Sequence, residues 1–134
     1  MRVADASVAV AAFGPWHEQH RVAKDALKGR PSIAAHAAIE TYSVLTRMPD
    51  PHRVRPADAQ AYLYDMFGRR WLGLAAEAQR ALLDRLAGVG VRGGAVYDAL
   101  IAATAAAENA TLVTLDRRAL ETYRRLEVEI ELVA

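Results

Sequence analysis

Four acidic residues interrupt or end otherwise apolar segments of this chain, and their chemistry is that of a cation site. They are Asp5, Glu40, Asp98 and Asp116. Acidic side chains are rarely buried unless they are paired or bind a metal. Carboxylates gathered in one place repel one another until a counter-charge joins them, and Mg²⁺ prefers such oxygen ligands. The four residues therefore predict a Mg²⁺ pocket, and a bound Mg²⁺ could support hydrolysis of a phosphodiester bond.

Each acid also has a structural interpretation that the sequence alone leaves open. Asp5 could cap the helix that follows it, because aspartate at a strand-to-helix turn is a common N-cap. The same interpretation applies to Asp116. Glu40 and Asp98 could instead form salt bridges, with Arg47 and Arg92 as the respective partners.

The elements that must position these acids alternate between short strands and helices. The patterns predict strands at residues 3–4, 32–34, 71–74, 111–115 and 128–132. They predict helices at residues 8–12 (capped by Ser7), 15–27, 36–47, 56 to about 67 or 69, 77–86, 95–108 and 117–126. This alternation predicts an α/β fold with three layers, in which helices flank a central, mostly parallel five-stranded sheet. We expect residues 1–134 to form a single domain.

The predicted sheet brings distant acids together. In open parallel sheets, ligands bind beyond the carboxyl ends of the strands. Asp5 and Asp116 each follow a predicted strand, so both should reach the same crevice. Glu40 and Asp98 are expected near the starts of their helices, where the helix dipole favours an anion. Their apolar neighbours, among them Ile39, predict that these helices are mostly buried.

Composition removes several alternative chemistries. The chain has 134 residues and no cysteine, which excludes disulfides, iron–sulfur clusters and thiolate nucleophiles. A net charge of +1 gives no overall basic field that would indicate nucleic acid. We find no P-loop, signal peptide or membrane-spanning segment, and we expect a cytoplasmic protein.

Four segments together resemble the PIN domain, and more narrowly the VapC toxins of type II toxin–antitoxin pairs. They are VADASV around Asp5, IETYSVLTR from Ile39, GGAVYDALIAA from Gly93 and LVTLD ending at Asp116. The resemblance covers nearly the whole chain in the same order. It implies a Mg²⁺- or Mn²⁺-dependent endoribonuclease that cuts structured RNA such as tRNA or rRNA. It also implies a homodimer and inhibition by a VapB-type antitoxin.

The resemblance also assigns roles to the four acids. Asp5 and Asp98 match the principal metal ligands of the family. Glu40 matches the third acid, which binds metal or orients the attacking water. Asp116 matches the fourth acid, whose placement varies most among members.

Four neighbouring residues complete the predicted site. Ser7 and Thr114 match small hydroxyl residues that hydrogen-bond near the acids. Arg117 and Arg118 stand where some family members carry a further acid, which leaves the number of metal ions open. Both arginines could steer phosphate, contact the antitoxin or simply face solvent.

Rival interpretations fit the sequence less well. A response-regulator receiver domain needs a lysine after a late strand, but Lys24 and Lys28 are the only lysines. A haloacid-type phosphatase needs Asp-x-Asp after its first strand, whereas this chain has Asp5-Ala-Ser7. The remaining alternative is a catalytically silent PIN fold that binds RNA or protein.

Overall fold

The computed structural model describes residues 1–133, and a parallel five-stranded sheet forms its centre. The strands are β1 (Arg2–Ala4), β2 (Ser32–Ala34), β3 (Trp71–Leu72), β4 (Thr111–Thr114) and β5 (Glu129–Leu132). The helices are α1 (Ala6–Phe13), α2 (His20–Leu27), α3 (Ala35–Thr46), α4 (Pro56–Phe67), α5 (Ala76–Val89), α6 (Ala95–Ala107) and α7 (Leu120–Arg125). A 3₁₀ turn, Arg117–Ala119, precedes α7. The predicted α/β fold with its central five-stranded sheet is confirmed.

The strand order β3-β2-β1-β4-β5 places β1 at the middle of the sheet. Val3 lies opposite Ser32 of β2 and Leu112 of β4. The pairing continues one residue past β1, because the backbone N–H of Asp5 donates to the carbonyl of Val113 at 3.1 Å. The first and fourth strands therefore end side by side, although more than 100 residues of sequence separate them.

Fully buried aliphatic side chains of the sheet form the main core, among them Val3, Ile33 and Leu112. Alanines on α1 and α6, such as Ala9 and Ala102, are also fully buried. Their small side chains let these helices approach the sheet closely, and close packing of apolar groups is what stabilises such layers. Two helices of the predicted site are thus held firmly on the sheet.

A smaller apolar cluster fixes α3 in place. Leu45 of α3 is fully buried and clusters with Val10 of α1 and Ala59 of α4. The hydroxyl of Tyr62 on α4 donates to the carbonyl of Ala9 at 2.6 Å. These contacts set the position of the helix that carries Glu40.

Two predicted helix starts are wrong. The first helix begins at Ala6 rather than residue 8, and Asp5, not Ser7, is its N-cap. The second begins at His20 rather than Pro15. Residues 15–19 form turns instead, in which the N–H of Gln19 donates to Nδ1 of His17 at 3.0 Å. Such local side-chain bonds compete with helix formation.

Two expectations for α3 are also corrected. Glu40 lies beyond the first turn, because the helix begins at Ala35, so the dipole at its start has little effect on this side chain. The side chain of Ile39 does not face the core, because 62% of its surface is exposed. Among residues 1–133, no helix combines the length and the apolar character needed to cross a bilayer.

Candidate active site

Asp5 is the most enclosed acid of the predicted site, with only 2% of its surface exposed. Its Oδ1 accepts hydrogen bonds from the Ser7 hydroxyl and from the backbone N–H of Val8 at 3.3 Å. Its Oδ2 accepts a hydrogen bond from the hydroxyl of Tyr123 at 2.8 Å. Burial raises the pKa of Asp5, while the hydrogen bonds from Ser7, Tyr123 and Val8 lower it in part. The capping interpretation is therefore correct for Asp5, but the residue does more than cap.

Hydroxyl groups link Asp5 to the segment that follows β4. The Ser7 hydroxyl accepts from the N–H of Leu115 at 2.9 Å and lies 3.4 Å from the Thr114 hydroxyl. Thr114 is fully buried, and its Oγ1 accepts from the N–H of Asp116 at 2.9 Å. The contacts predicted for Ser7 and Thr114 are present, and they tie the ends of the two central strands together.

The other two acids of the cluster lie on helices, Glu40 on α3 and Asp98 on α6. Both side chains are half-buried. Burial is the main cause that raises the pKa of Glu40, and the charges of Asp5 and Asp116 raise it further. The pKa of Asp98 is raised to about 6. Burial is the largest cause, and the charges of Asp116, Glu40 and Asp5 raise it further. The four acids therefore share one electrostatic environment.

Neither of the proposed salt bridges forms within residues 1–133. Arg47 donates to the Ser43 hydroxyl at 2.6 Å and only partly offsets the raised pKa of Glu40. For Asp98, the lowering influence on the pKa comes from Arg118 rather than Arg92.

Asp116 is an N-cap as well as a member of the acidic cluster. Its Oδ1 accepts from the N–H of Arg118 at 2.9 Å and closes the 3₁₀ turn. Nε of Arg118 lies 3.6 Å from the same oxygen, but the Arg118 side chain is 95% exposed. Such an exposed pair stabilises little, so Arg118 is free to turn toward another anion. Arg117 is exposed next to it.

An open cleft of about 330 Å³ borders the cluster at Glu40 and Asp116, whereas Asp5 and Asp98 are not among the residues that line it. Glu40, Asp116, Arg118 and Ser7 line it, together with His17 and Gln19. Asp5 lies beneath this surface, consistent with its low exposure. The cleft thus combines carboxylates with one exposed guanidinium.

The acids are near one another without forming a closed coordination shell. Among residues 1–133, no three His, Asp or Glu side chains are arranged to hold a metal ion. Hydrogen-bond donors already occupy Asp5, and the carboxylate of Asp116 bonds to its own turn. The chemistry of the donors nevertheless fits a hard dication, which needs only one or two carboxylates plus water. The metal-binding role of the four acids stays a prediction.

Sequence reasoning missed three residues of this site. The spacing of Leu120, Tyr123 and Leu126 indicates that Tyr123 faces inward, but nothing in the sequence pairs its hydroxyl with Asp5. His17 and Gln19 line the cleft because residues 15–19 leave the helical path.

Comparison with known proteins gives the family. The PIN domain model matches residues 2–125, which is most of the chain. Ribonuclease VapC40 from Mycobacterium tuberculosis is 54% identical over 129 residues, covering 96% of both proteins. The chain is a PIN domain of the VapC family. The predicted resemblance to that family is thereby confirmed.

Solved structures carry the same fold as this PIN domain. FitAB bound to an IR36 DNA fragment matches with a TM-score of 0.73 at 18% identity, covering 98% of this PIN domain and 94% of that chain. VapBC2 from Rickettsia felis, bound to a DNA fragment from its promoter, matches with a TM-score of 0.63 at 22% identity. That match covers 99% of this PIN domain and 98% of the other chain. At these identities the structures support the fold of the PIN domain alone.

Proposed function

We propose that this PIN domain is a metal-dependent endoribonuclease and the toxin of a toxin–antitoxin pair. The observation that carries the proposal is the shared electrostatic environment of Asp5, Glu40, Asp98 and Asp116. Membership of the VapC family supports ribonuclease activity. The gathering of four carboxylates supports the metal dependence, because carboxylate oxygens are the ligands that a hard dication prefers and its charge would offset their mutual repulsion.

Asp5, Asp98, Glu40 and Asp116 are the residues that would hold Mg²⁺ or Mn²⁺. When bound, such an ion supplies a Lewis acid that activates water and neutralises charge on the phosphate. The hydroxyls of Ser7 and Tyr123 keep the Asp5 carboxylate in one orientation. Fixed orientation matters because misplaced ligands lose affinity and activity.

Glu40 is the group best placed to orient the attacking water. It lines the open cleft, whereas Asp5 lies below the surface. Burial and neighbouring charge raise the pKa of Glu40, and a carboxylate with a raised pKa is a better proton acceptor. Glu40 can therefore receive the proton that leaves the water as the new bond to phosphorus forms, while the bond between phosphorus and the 3′ oxygen breaks and that oxygen takes a proton from solvent.

Arg118 is the group that can attract the RNA backbone. Its exposed guanidinium lies at the cleft, and Arg117 adds a second positive charge on the same turn. Guanidinium groups bind phosphate through paired hydrogen bonds. We assign structured RNA, tRNA or rRNA, as the substrate class, and we place the reaction in the cytoplasm, where these RNAs are found.

A VapB-type antitoxin is the proposed protein partner, and a homodimer is the proposed assembly. Exposed apolar side chains on α3 and α4 support further protein contacts. Ile39, Tyr42 and Tyr64 are 62%, 37% and 57% exposed and line one groove. Light scattering on the purified chain should give twice the monomer mass, and a monomer would contradict the homodimer.

Glu40→Gln provides the main test of the nuclease proposal. Total tRNA is incubated with wild type and variant in Mg²⁺, in Mn²⁺ and in excess EDTA. We expect wild type to cut only with metal, leaving 5′-phosphate and 3′-hydroxyl ends. Loss of the proton acceptor should slow cleavage by about 10²- to 10⁴-fold.

Glu108→Gln is the matched control, because Glu108 is exposed at the end of α6. It should cut RNA at the wild-type rate. Equal activity of the Glu40 and Glu108 variants would contradict the assigned role. RNA binding without cleavage by wild type would favour the silent binding module, and mapping 5′ ends after brief expression would identify the target.

A further inference from the structure

We infer that Tyr123 is a positioning residue that holds Asp5 and selects the oxygen through which this carboxylate binds metal. The inference rests on the proposed function, because it concerns the same acidic site. Tyr123 belongs to α7 and is 1% exposed. Its hydroxyl lies 2.8 Å from Oδ2 of Asp5, and 118 residues of sequence separate the two.

The two oxygens of Asp5 are not equivalent. Oδ1 accepts from both the Ser7 hydroxyl and the N–H of Val8, whereas Oδ2 accepts from Tyr123. A carboxylate offers about four acceptor positions, two on each oxygen. Both acceptor positions of Oδ1 are therefore occupied, whereas one of the two acceptor positions of Oδ2 stays open. A cation that binds Asp5 with these bonds in place must do so through Oδ2 alone.

The hydroxyl of Tyr123 controls that remaining position. Because it donates to Oδ2, it fixes the rotation of the carboxylate and leaves one lone pair of that oxygen directed elsewhere. Phenylalanine at this position would fill the same space without the donor. Oδ2 would then lose its fixed orientation, and groups that orient metal ligands typically change metal affinity by about 10- to 100-fold.

Tyr123→Phe and Tyr62→Phe form a matched pair for the test. Each change removes one tyrosine hydroxyl that is bonded inside the protein. The Tyr62 hydroxyl, however, donates to the backbone carbonyl of Ala9 rather than to a carboxylate. Mn²⁺ alone is titrated into each folded, metal-free protein by calorimetry, and circular dichroism verifies the fold.

We expect Mn²⁺ affinity to fall by about 10- to 100-fold in Tyr123→Phe and to stay within about 2-fold in Tyr62→Phe. With Asp5→Asn already present, Tyr123→Phe should cause no further loss. Equal affinity in the two tyrosine variants, or an equal loss in both, would overturn the inference. So would a Tyr123→Phe chain that fails to fold even with Asp5→Asn.

The same titration separates this inference from the proposed function. Wild type that binds Mn²⁺ and cuts RNA, beside a Tyr123→Phe chain of equal affinity, contradicts only the role of Tyr123. Wild type that neither binds Mn²⁺ nor cuts RNA contradicts the metal-dependent nuclease itself, and the role of Tyr123 with it.

Discussion

Replacing Asp98 with asparagine should stabilise the metal-free protein at alkaline pH. Burial and the charges of Asp116, Glu40 and Asp5 raise the pKa of Asp98 from 3.8 to about 6. A raised pKa means that the folded chain holds this proton more tightly than the unfolded chain does. The stability that Asp98 contributes is therefore complete below pH 3.8 and is lost as the pH rises through 6. An asparagine side chain stays neutral at every pH, so Asp98→Asn escapes this loss.

The magnitude follows from the size of the shift. A shift of roughly 2 pKa units corresponds to about 3 kcal/mol as an upper bound. Asp98 is half-buried, so solvent screening reduces the effect, and we expect a gain of about 1 kcal/mol. Urea midpoints measured in EDTA should rise by about 0.5 M at pH 8, and the gain should shrink toward zero at pH 4.

Asp84→Asn serves as the control, because Asp84 is exposed on α5. Its free energy of unfolding should change by less than about 0.5 kcal/mol. A lower urea midpoint for Asp98→Asn at pH 8 would refute the reasoning. A gain of equal size at pH 4 and pH 8 would refute it too, because ionisation of Asp98 would then not be its cause.

Three further predictions concern other parts of the molecule. Gly14→Ala should destabilise by about 1–3 kcal/mol, because a Cβ there would lie 2.5 Å from the ring of Trp16; the matched change Gly73→Ala meets no atom within 4 Å. Urea titration compares the two, and equal midpoints would show that Trp16 moves away freely. Gly88 lies inside α5 with open space around it. Gly88→Ala should therefore raise the free energy of unfolding by about 0.5–1 kcal/mol, which thermal melting would show as a higher midpoint; a lower midpoint would contradict this. Arg118→Ala should weaken binding of tRNA and reduce the slope of log affinity against log salt by about 1; an unchanged slope would remove Arg118 from the RNA contacts.

The convergence of Asp5 and Asp116 was predictable because parallel strands end at a common edge. That argument needs only the positions of the strands, and their apolar patterns gave those positions. The sequence offered both Asp5 and Ser7 as caps, because both are good capping residues, and it does not say which one meets the free N–H groups. The assignment to Ser7 was wrong, and the one to Asp5 was correct. The fold uses both, since Asp5 caps α1 while Ser7 bonds to Asp5.

The contacts made by individual side chains could not be predicted from the sequence. The hydroxyl of Tyr123 reaches Asp5 only because α7 packs near the end of β1, and hydrophobic spacing indicates burial without naming a partner. The expectation for Ile39 was wrong, because an isoleucine beside Glu40 suggested a buried helix face. Instead, its side chain lines an open groove at the surface.

The pairing of β1 with β4 has a consequence for the order in which the acidic cluster assembles during translation. Residues near the start of the chain meet their partners only when Val113, Thr114 and Tyr123 have been made. A nascent chain that does not yet include Tyr123 therefore carries an unfinished acidic cluster. Synthesis of the segment from β4 to α7, rather than of the first half of the chain, is the step that allows this cluster to assemble.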